Sequence, residues 1–208
     1  GLTQFGWSDI GARDMMDLNG VTALVTGAGS GMGAATAKAL AKRGARVAIV
    51  DLNLESAQQT ADSINGLALG ADVSSGESVE VALQQVVNEL GAPRVVVSCA
   101  GIAAASRIVG REGPHELDLY QRVINVNLVG TFNVLRLTAE RMSALDPVSD
   151  SGARGVIVNT ASVAAYDGQI GQAAYSSSKG GVVALTLPAA RELARFGIRV
   201  MTVAPGLI

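Results

Sequence analysis

Six short apolar runs recur along the chain: VTALVT (21–26), RVAIVD (46–51), LALGAD (67–72), RVVVS (94–98), GVIVNT (155–160) and IRVMTVA (198–204). Most show no polar alternation, which is the pattern of strands buried on both faces of a parallel sheet. Between them the apolar spacing changes to the helical repeat. It predicts helices over 32–43, 54–64, 76–90 and 115–143. A fifth is predicted over 172–195, with Gly180 and Gly181 inside it and Pro188 expected to bend it. Strand alternating with helix marks βαβ units, whose right-handed crossovers lay helices on both faces of the sheet. SALDPVSDSGARG (143–155) reads as an exposed loop. No internal repeat, low-complexity tract or long linker divides the chain. The expectation is a single α/β domain, a doubly wound parallel sheet in three layers.

A length of 208 residues suits one such domain. Hydrophobic residues make up 49% of the chain and aromatic residues only 3%, so the core must be built from Val, Ala, Leu and Ile. Twenty-five glycines against five prolines indicate tight turns and close packing instead of disorder. The net charge of −2 argues against a nucleic-acid partner. Mean hydropathy is high at +0.34, but no apolar run is long enough for a membrane span, and buried valine-rich strands account for the value. Residues 1–18 lack the basic-then-apolar order of a secretory signal and read as an N-terminal extension or a preparation remnant. One cysteine, Cys99, and one histidine, His115, form neither an intrachain disulfide nor an ordinary structural zinc site, so no metal is expected. A reducing cytoplasm is the expected compartment.

Directly after the first strand comes TGAGSGMG (26–33). Gly27, Gly31 and Gly33 are spaced G-x-x-x-G-x-G. Positions without side chains let backbone N–H groups approach a pyrophosphate at a helix N-terminus, where the dipole favours anions. A glycine cluster alone can be a plain turn. Here the second strand ends in Asp51, a carboxylate able to accept hydrogen bonds from both adenosine ribose hydroxyls and to repel a 2′-phosphate. Asp72 and Val73 end the third run, where a side chain and a backbone group can meet adenine. Together these features favour a nicotinamide dinucleotide in a Rossmann-type fold, and NAD before NADP.

AAYSSSK (173–179) then places Tyr175 and Lys179 at i,i+4 on one helical face. A free tyrosine, with a pKa of about 10, is a poor base at neutral pH. A neighbouring ammonium stabilises the phenolate, which makes the pair a candidate for acid–base catalysis.

From about Asn19 onward the chain resembles the short-chain dehydrogenase/reductase family. TGAGSGMG looks like that family's cofactor turn, SCAG (98–101) stands where N-N-A-G or N-C-A-G is usual, and NVNLVGTF (125–132) supplies the active-site asparagine, Asn127. Ser162 lies thirteen residues before Tyr175, completing a Ser-Tyr-Lys arrangement, and APGLI (204–208) resembles the P-G turn beside the nicotinamide. NTASVAAYDGQIGQAAYSSSKGG (159–181) is similar to the subfamily of type-2 3-hydroxyacyl-CoA dehydrogenases, also called type-10 17β-hydroxysteroid dehydrogenases.

The resemblance implies catalysis by Ser162, Tyr175, Lys179 and Asn127. Tyr175 is the acid/base, Ser162 binds the substrate oxygen, Lys179 also holds the nicotinamide ribose, and Asn127 supports a water linking Lys179 to solvent. It implies cofactor contacts from the turn (Gly27, Ser30, Gly31, Met32, Gly33), from Asp51, Asp72 and Val73, and from Cys99, Ala100 and Gly101. Tyr175, Lys179, Pro205, Gly206 and Ile208 complete that set. Substrate is expected at Ser162, Tyr175 and Gln169, although Gln169 and Gln172 can equally cap a loop. The implied activity is NAD-dependent hydride transfer to or from a secondary alcohol, a 3-hydroxyacyl-CoA or hydroxysteroid-like molecule. An NADPH-dependent 3-oxoacyl-thioester reductase and a non-catalytic NAD-binding sensor or scaffold are the alternatives.

Two departures stand out. Ser98 replaces the usual asparagine, and its shorter reach changes how the fourth strand is tied to its neighbours. Family members also usually continue past the P-G turn, so residues 19–208 are expected to lack a substrate-covering segment and a last strand. Cys99 reads as a small buried residue and His115 as non-catalytic. Asp118 and Arg122 read as an i,i+4 surface pair. Surplus apolar surface on helices 115–143 and 172–195 predicts a homo-oligomer, a dimer or tetramer with two-fold symmetry.

Overall fold

The computed structural model describes residues 16–206. In chain order, β1 (Thr22–Thr26) leads into α1 (Gly31–Lys42), β2 (Arg46–Asp51) into α2 (Leu54–Asp62), β3 (Leu67–Gly70) into α3 (Gly76–Leu90), and then to β4 (Val95–Ser98). A two-residue hairpin follows, β5 (Val109–Gly110) with β6 (Gly113–Pro114), and after it α4 (Leu117–Ile124) and α5 (Gly130–Ser143). β7 (Gly155–Thr160), α6 (Ala173–Leu193) and β8 (Ile198–Val203) complete the chain. The six long strands form one parallel sheet in the order β3-β2-β1-β4-β7-β8. The chain winds outward from β1 to β3 and then returns to lay β4 on the other side of β1. That reversal opens a crevice at the carboxyl ends of β1 and β4, where ligands bind in open sheets of this kind.

The absence of polar alternation has a direct cause. Leu24, Ala48, Val50, Val96, Ile157 and Val200 face one core with α3, α5 and α6, while their strand neighbours Ala23, Val25, Val47, Ile49 and Val95 face a second core shared with α1. Alternate residues of each strand are thus apolar for opposite layers. Burying one such side chain contributes about 1.5–3 kcal/mol. Among the described residues, no helix is long and apolar enough to cross a membrane.

The helix expected over 115–143 is not one α-helix. A π-helical segment, Asn125–Val129, separates α4 from α5. Asn127 lies inside it, fully buried, and its carbonyl accepts from the Thr131 hydroxyl at 2.7 Å. Such one-turn widenings recur at functional sites. α6 meets this segment at Gly181, where an added Cβ would stand 2.5 Å from Leu128 Cδ2. That contact gives Gly181 a packing role that offsets the low helix propensity of glycine. Pro188 lies within α6, and the loop between α5 and β7 occupies the predicted stretch.

Candidate active site

The turn after β1 is shaped by two close approaches. Gly27 has φ +63°, and a Cβ there would lie 2.6 Å from both Cα and N of Ala100, so the ends of β1 and β4 touch through backbone. At Gly33 a Cβ would sit 2.2 Å from the Gly27 carbonyl oxygen, which lets α1 press onto the turn. Ser30 stands at the N-cap of α1 but makes no side-chain cap bond, and the first turn holds no acidic residue. α2 and α3 differ: Asn53 and Ser75 cap them through Ser56 N–H and Ser78 N–H, and Glu55 and Glu77 stand in their first turns. The first N–H groups of α1 therefore have neither a side-chain cap from Ser30 nor an acidic residue in their own first turn.

Asp51 closes the same turn. Its Oδ2 accepts from Gly29 N–H at 2.9 Å and its Oδ1 from Asn53 N–H at 3.0 Å. Each oxygen keeps lone-pair capacity for a further donor. Asp51, Asp72, Val73, Gly27, Ala100 and Gly101 line one cavity of about 800 Å³. Asp72 Oδ1 accepts from both the N–H and the hydroxyl of Ser74, at 2.9 and 2.7 Å.

A second cavity of about 720 Å³ shares Gly101, Ile102 and Ala103 with the first. Ser162, Tyr175, Lys179, Met32, Cys99, Gln169, Pro205 and Gly206 all line it. Lys179 is only 5% exposed; its Nζ donates to the Thr160 carbonyl at 2.7 Å and lies 5.7 Å from the centre of the Tyr175 ring. Burial brings its pKa down to about 8, with the Cys99 thiol weakly opposing the shift. The ammonium form still predominates at neutral pH. Ser162 Oγ accepts from Ala164 N–H at 3.1 Å, which leaves its own proton for an acceptor in the cavity.

Asn127 stands behind this wall and does not line it. Its amide clips Ile102 in both directions, Oδ1 accepting from Ile102 N–H at 2.8 Å and Nδ2 donating to Ile102 O at 2.9 Å. A second Nδ2 bond reaches Ser178 Oγ at 3.0 Å. Ser30, Gly31 and Gly33 lie at the start of α1, outside both cavities, and Ile208 lies outside the described residues. Gln169 faces the cavity, while Gln172 also closes the loop, its Oε1 accepting from Gln169 N–H at 2.9 Å. Burial pushes the Cys99 thiol up, so it is a poor nucleophile. His115 Nδ1 lies 2.8 Å from the Glu116 carbonyl, away from both cavities.

Asp118 and Arg122 make no ion pair with each other; both line the first cavity, with Gln121 and Asn125. Helical spacing brings two side chains within reach but does not decide whether they turn toward each other or toward a cleft. Thr160 was also not legible as a site residue, because its contribution to Lys179 is a backbone carbonyl. Ser98 and Asn159 are register partners on β4 and β7, and the Ser98 hydroxyl and both ends of the Asn159 amide are buried without partners.

Comparison with known proteins bears on this geometry. The sequence profile of a family described as "short chain dehydrogenase" matches residues 21–208. 3-Hydroxyacyl-CoA dehydrogenase type-2 of Bos taurus is 50% identical over 194 residues, covering 91% of this chain and 74% of that protein. The crystal structure of 3-hydroxyacyl-CoA dehydrogenase type-2 from Mycobacterium avium superposes with a TM-score of 0.87 at 40% identity, over 93% of this chain and 78% of the other. NAD⁺-bound xylitol dehydrogenase gives a TM-score of 0.82 at 34% identity, over 92% and 72% of the two chains.

Proposed function

Because this chain belongs to the short chain dehydrogenase family and is an oxidoreductase acting on CH–OH groups with a nicotinamide cofactor, we propose that its cofactor is NAD and its substrate a 3-hydroxyacyl-CoA or a related secondary alcohol. One observation carries the reading: a buried lysine ammonium beside a tyrosine ring, in a cavity continuous with one that holds a fixed carboxylate.

The residues present fit a dinucleotide. Gly27 and Gly33 give the backbone its close approach, α1 offers uncapped N–H groups to the pyrophosphate, and Asp51 offers acceptors to the adenosine ribose. The fixed negative charge of Asp51 disfavours the 2′-phosphate of NADP. Asp72 and Val73 take the adenine side; Pro205, Gly206, Cys99 and Met32 take the nicotinamide side. When bound, the nicotinamide supplies the hydride chemistry.

The chain's own residues handle the proton. Tyr175 takes it from, or returns it to, the alcohol oxygen. Lys179 stabilises the phenolate by its charge; one of its N–H bonds goes to Thr160 O, and the others are free for the cofactor's ribose. Ser162, with its oxygen already accepting from Ala164 N–H, donates to the same substrate oxygen. Asn127, by clipping Ile102, holds the loop after β4 against the π-helical segment.

The substrate class is supported by the 50% identity to the bovine 3-hydroxyacyl-CoA dehydrogenase type-2. The test is NADH formation from NAD with a panel of 3-hydroxyacyl-CoAs, hydroxysteroids and simple alcohols. The expected result is a kcat/KM for a 3-hydroxyacyl-CoA about tenfold or more above the other classes. Formation of no NADH from any secondary alcohol would sink the reading.

The same reading includes assembly as a two-fold homo-oligomer, a dimer or tetramer. An apolar groove of about 420 Å³ runs between α5 and α6, lined by Phe132, Leu135, Leu185, Pro188, Leu193 and Phe196, and Leu187 is 54% exposed. Light scattering at micromolar concentration should give a multiple of the monomer mass, and a monomer mass counts against it.

A further inference from the structure

Asn133 on α5 is 5% exposed, and every hydrogen-bonding position of its amide is used. Nδ2 donates to the carbonyls of Val73 at 2.9 Å and Ser75 at 3.2 Å. Oδ1 accepts from Arg136 Nε at 3.0 Å and Nη2 at 2.7 Å. The orientation of the amide is forced. A guanidinium has only donors and the two carbonyls only accept, so no other arrangement satisfies all four contacts. Just before it on the helix, Gly130 lets α5 approach Val73 so closely that a Cβ would stand 2.6 Å from Val73 Cγ2. α5 therefore grips the turn between β3 and α3 by a close contact and by a buried amide. The turn's remaining side-chain ties are local, from Asp72 N–H to Ser78 Oγ at 3.0 Å and within Asp72 and Ser74. This is the turn that presents Asp72 and Val73 to the first cavity.

We propose that Asn133 is a positioning residue for the adenylate half of the cofactor, and that Arg136 holds its amide in the productive orientation. The proposal rests on the reading that the Asp72–Val73 turn meets adenine. Removing the amide takes from the Val73 carbonyl its buried donor, while Ser75 O keeps only Val79 N–H at 3.1 Å, and the turn relaxes to hydrate the freed carbonyl. The loss falls on ligands that carry adenylate and spares the nicotinamide side.

The test uses the full chain and fluorescence titration with NADH, displacement by AMP, and reduced nicotinamide mononucleotide as the ligand lacking adenylate. Asn133→Ala should weaken NADH and AMP in step, by about tenfold, the size of one net hydrogen bond at the upper end of its range, with the mononucleotide unchanged. Asn133→Asp should do the same, although it preserves bulk and the contact with Arg136, because a carboxylate has no donor for Val73 and Ser75. Arg136→Met, at an exposed residue, should cost about threefold, and Arg136→Lys should recover part of that. If Asn133→Ala does not fold, the Arg136 pair decides. The proposal is overturned if AMP affinity stays within twofold in these variants, or if AMP and the mononucleotide weaken equally. Asp72→Ala separates the two causes. If it weakens AMP where the Asn133 and Arg136 variants do not, the positioning role alone fails. If it too leaves AMP unaffected, the reading of an adenine site at this turn fails.

Discussion

The two adjoining cavities of this protein differ in the charged groups that their walls hold fixed. The one that ends at β2 and β3 holds Asp51 and Asp72, carboxylates already tied to backbone and serine donors. The one between β7 and α6 holds a single buried ammonium, Lys179, bonded to a carbonyl and lowered to about 8 by loss of solvent. The first half presents acceptors already fixed in place by backbone and serine donors. The second contains a group whose charge is costly to bury and is therefore easily moved. On the proposed function, binding and chemistry are divided along the crevice, and each half should respond to substitution in its own way.

The strongest attempt to break that division is Tyr175→Phe. With the phenol gone, turnover should fall by about 10³-fold, within the range for loss of one general acid/base, while NADH affinity stays within a few-fold. Stopped-flow turnover and fluorescence titration on the same sample read both quantities. Retention of most of the activity would remove Tyr175 from the proton route, and a matching loss of affinity would show that the two halves are not separable.

Lys179 sharpens the comparison through stability. Its folded pKa of about 8 lies below the ordinary value of 10.5, so above about pH 8 the unfolded chain holds more protons than the folded one. Stability from this group therefore rises with pH between about 8 and 10.5, and the burial penalty is fully present below 8. Urea denaturation of wild type and Lys179→Met across that range should show the difference moving in favour of wild type, by on the order of 3 kcal/mol. A difference independent of pH would mean that Lys179 is not desolvated as described.

The smallest effect belongs to Asp51. The wild-type protein should prefer NAD to NADP by at least tenfold, about 1.4 kcal/mol, and Asp51→Asn, which keeps the acceptor toward Gly29 but removes the charge, should narrow that preference. Parallel titrations with NADH and NADPH measure it. Equal affinities in the wild type would take Asp51 out of cofactor selection.

The six long strands were legible to within two residues at each end, because a strand buried on both faces declares itself by a continuous apolar run. The glycine turn, the acid that ends β2 and the Tyr175–Lys179 pair were legible for a related reason. Each depends on residues close in sequence, where spacing alone dictates proximity. The hairpin at 109–114 was not, since two-residue strands carry no period. Nor was the π-helical segment around Asn127, whose amide bonds the backbone of Ile102 twenty-five residues away, a contact that no local period announces.

The sequence by itself determined the layered α/β architecture, the order of strand and helix, and the proximity of the proposed acid–base pair on one helix. These follow from local periodicity and from side-chain chemistry. Only the tertiary structure decided which polar groups found partners. It turned Asp118 and Arg122 toward a cavity instead of each other, used both donor bonds of Asn133 on a turn some sixty residues away, and left the register partners Ser98 and Asn159 with buried polar atoms unpartnered. The physical reason is that a hydrogen bond is settled within a few tenths of an ångström. Distances on that scale are set only once sheet register and helix packing have brought remote segments together.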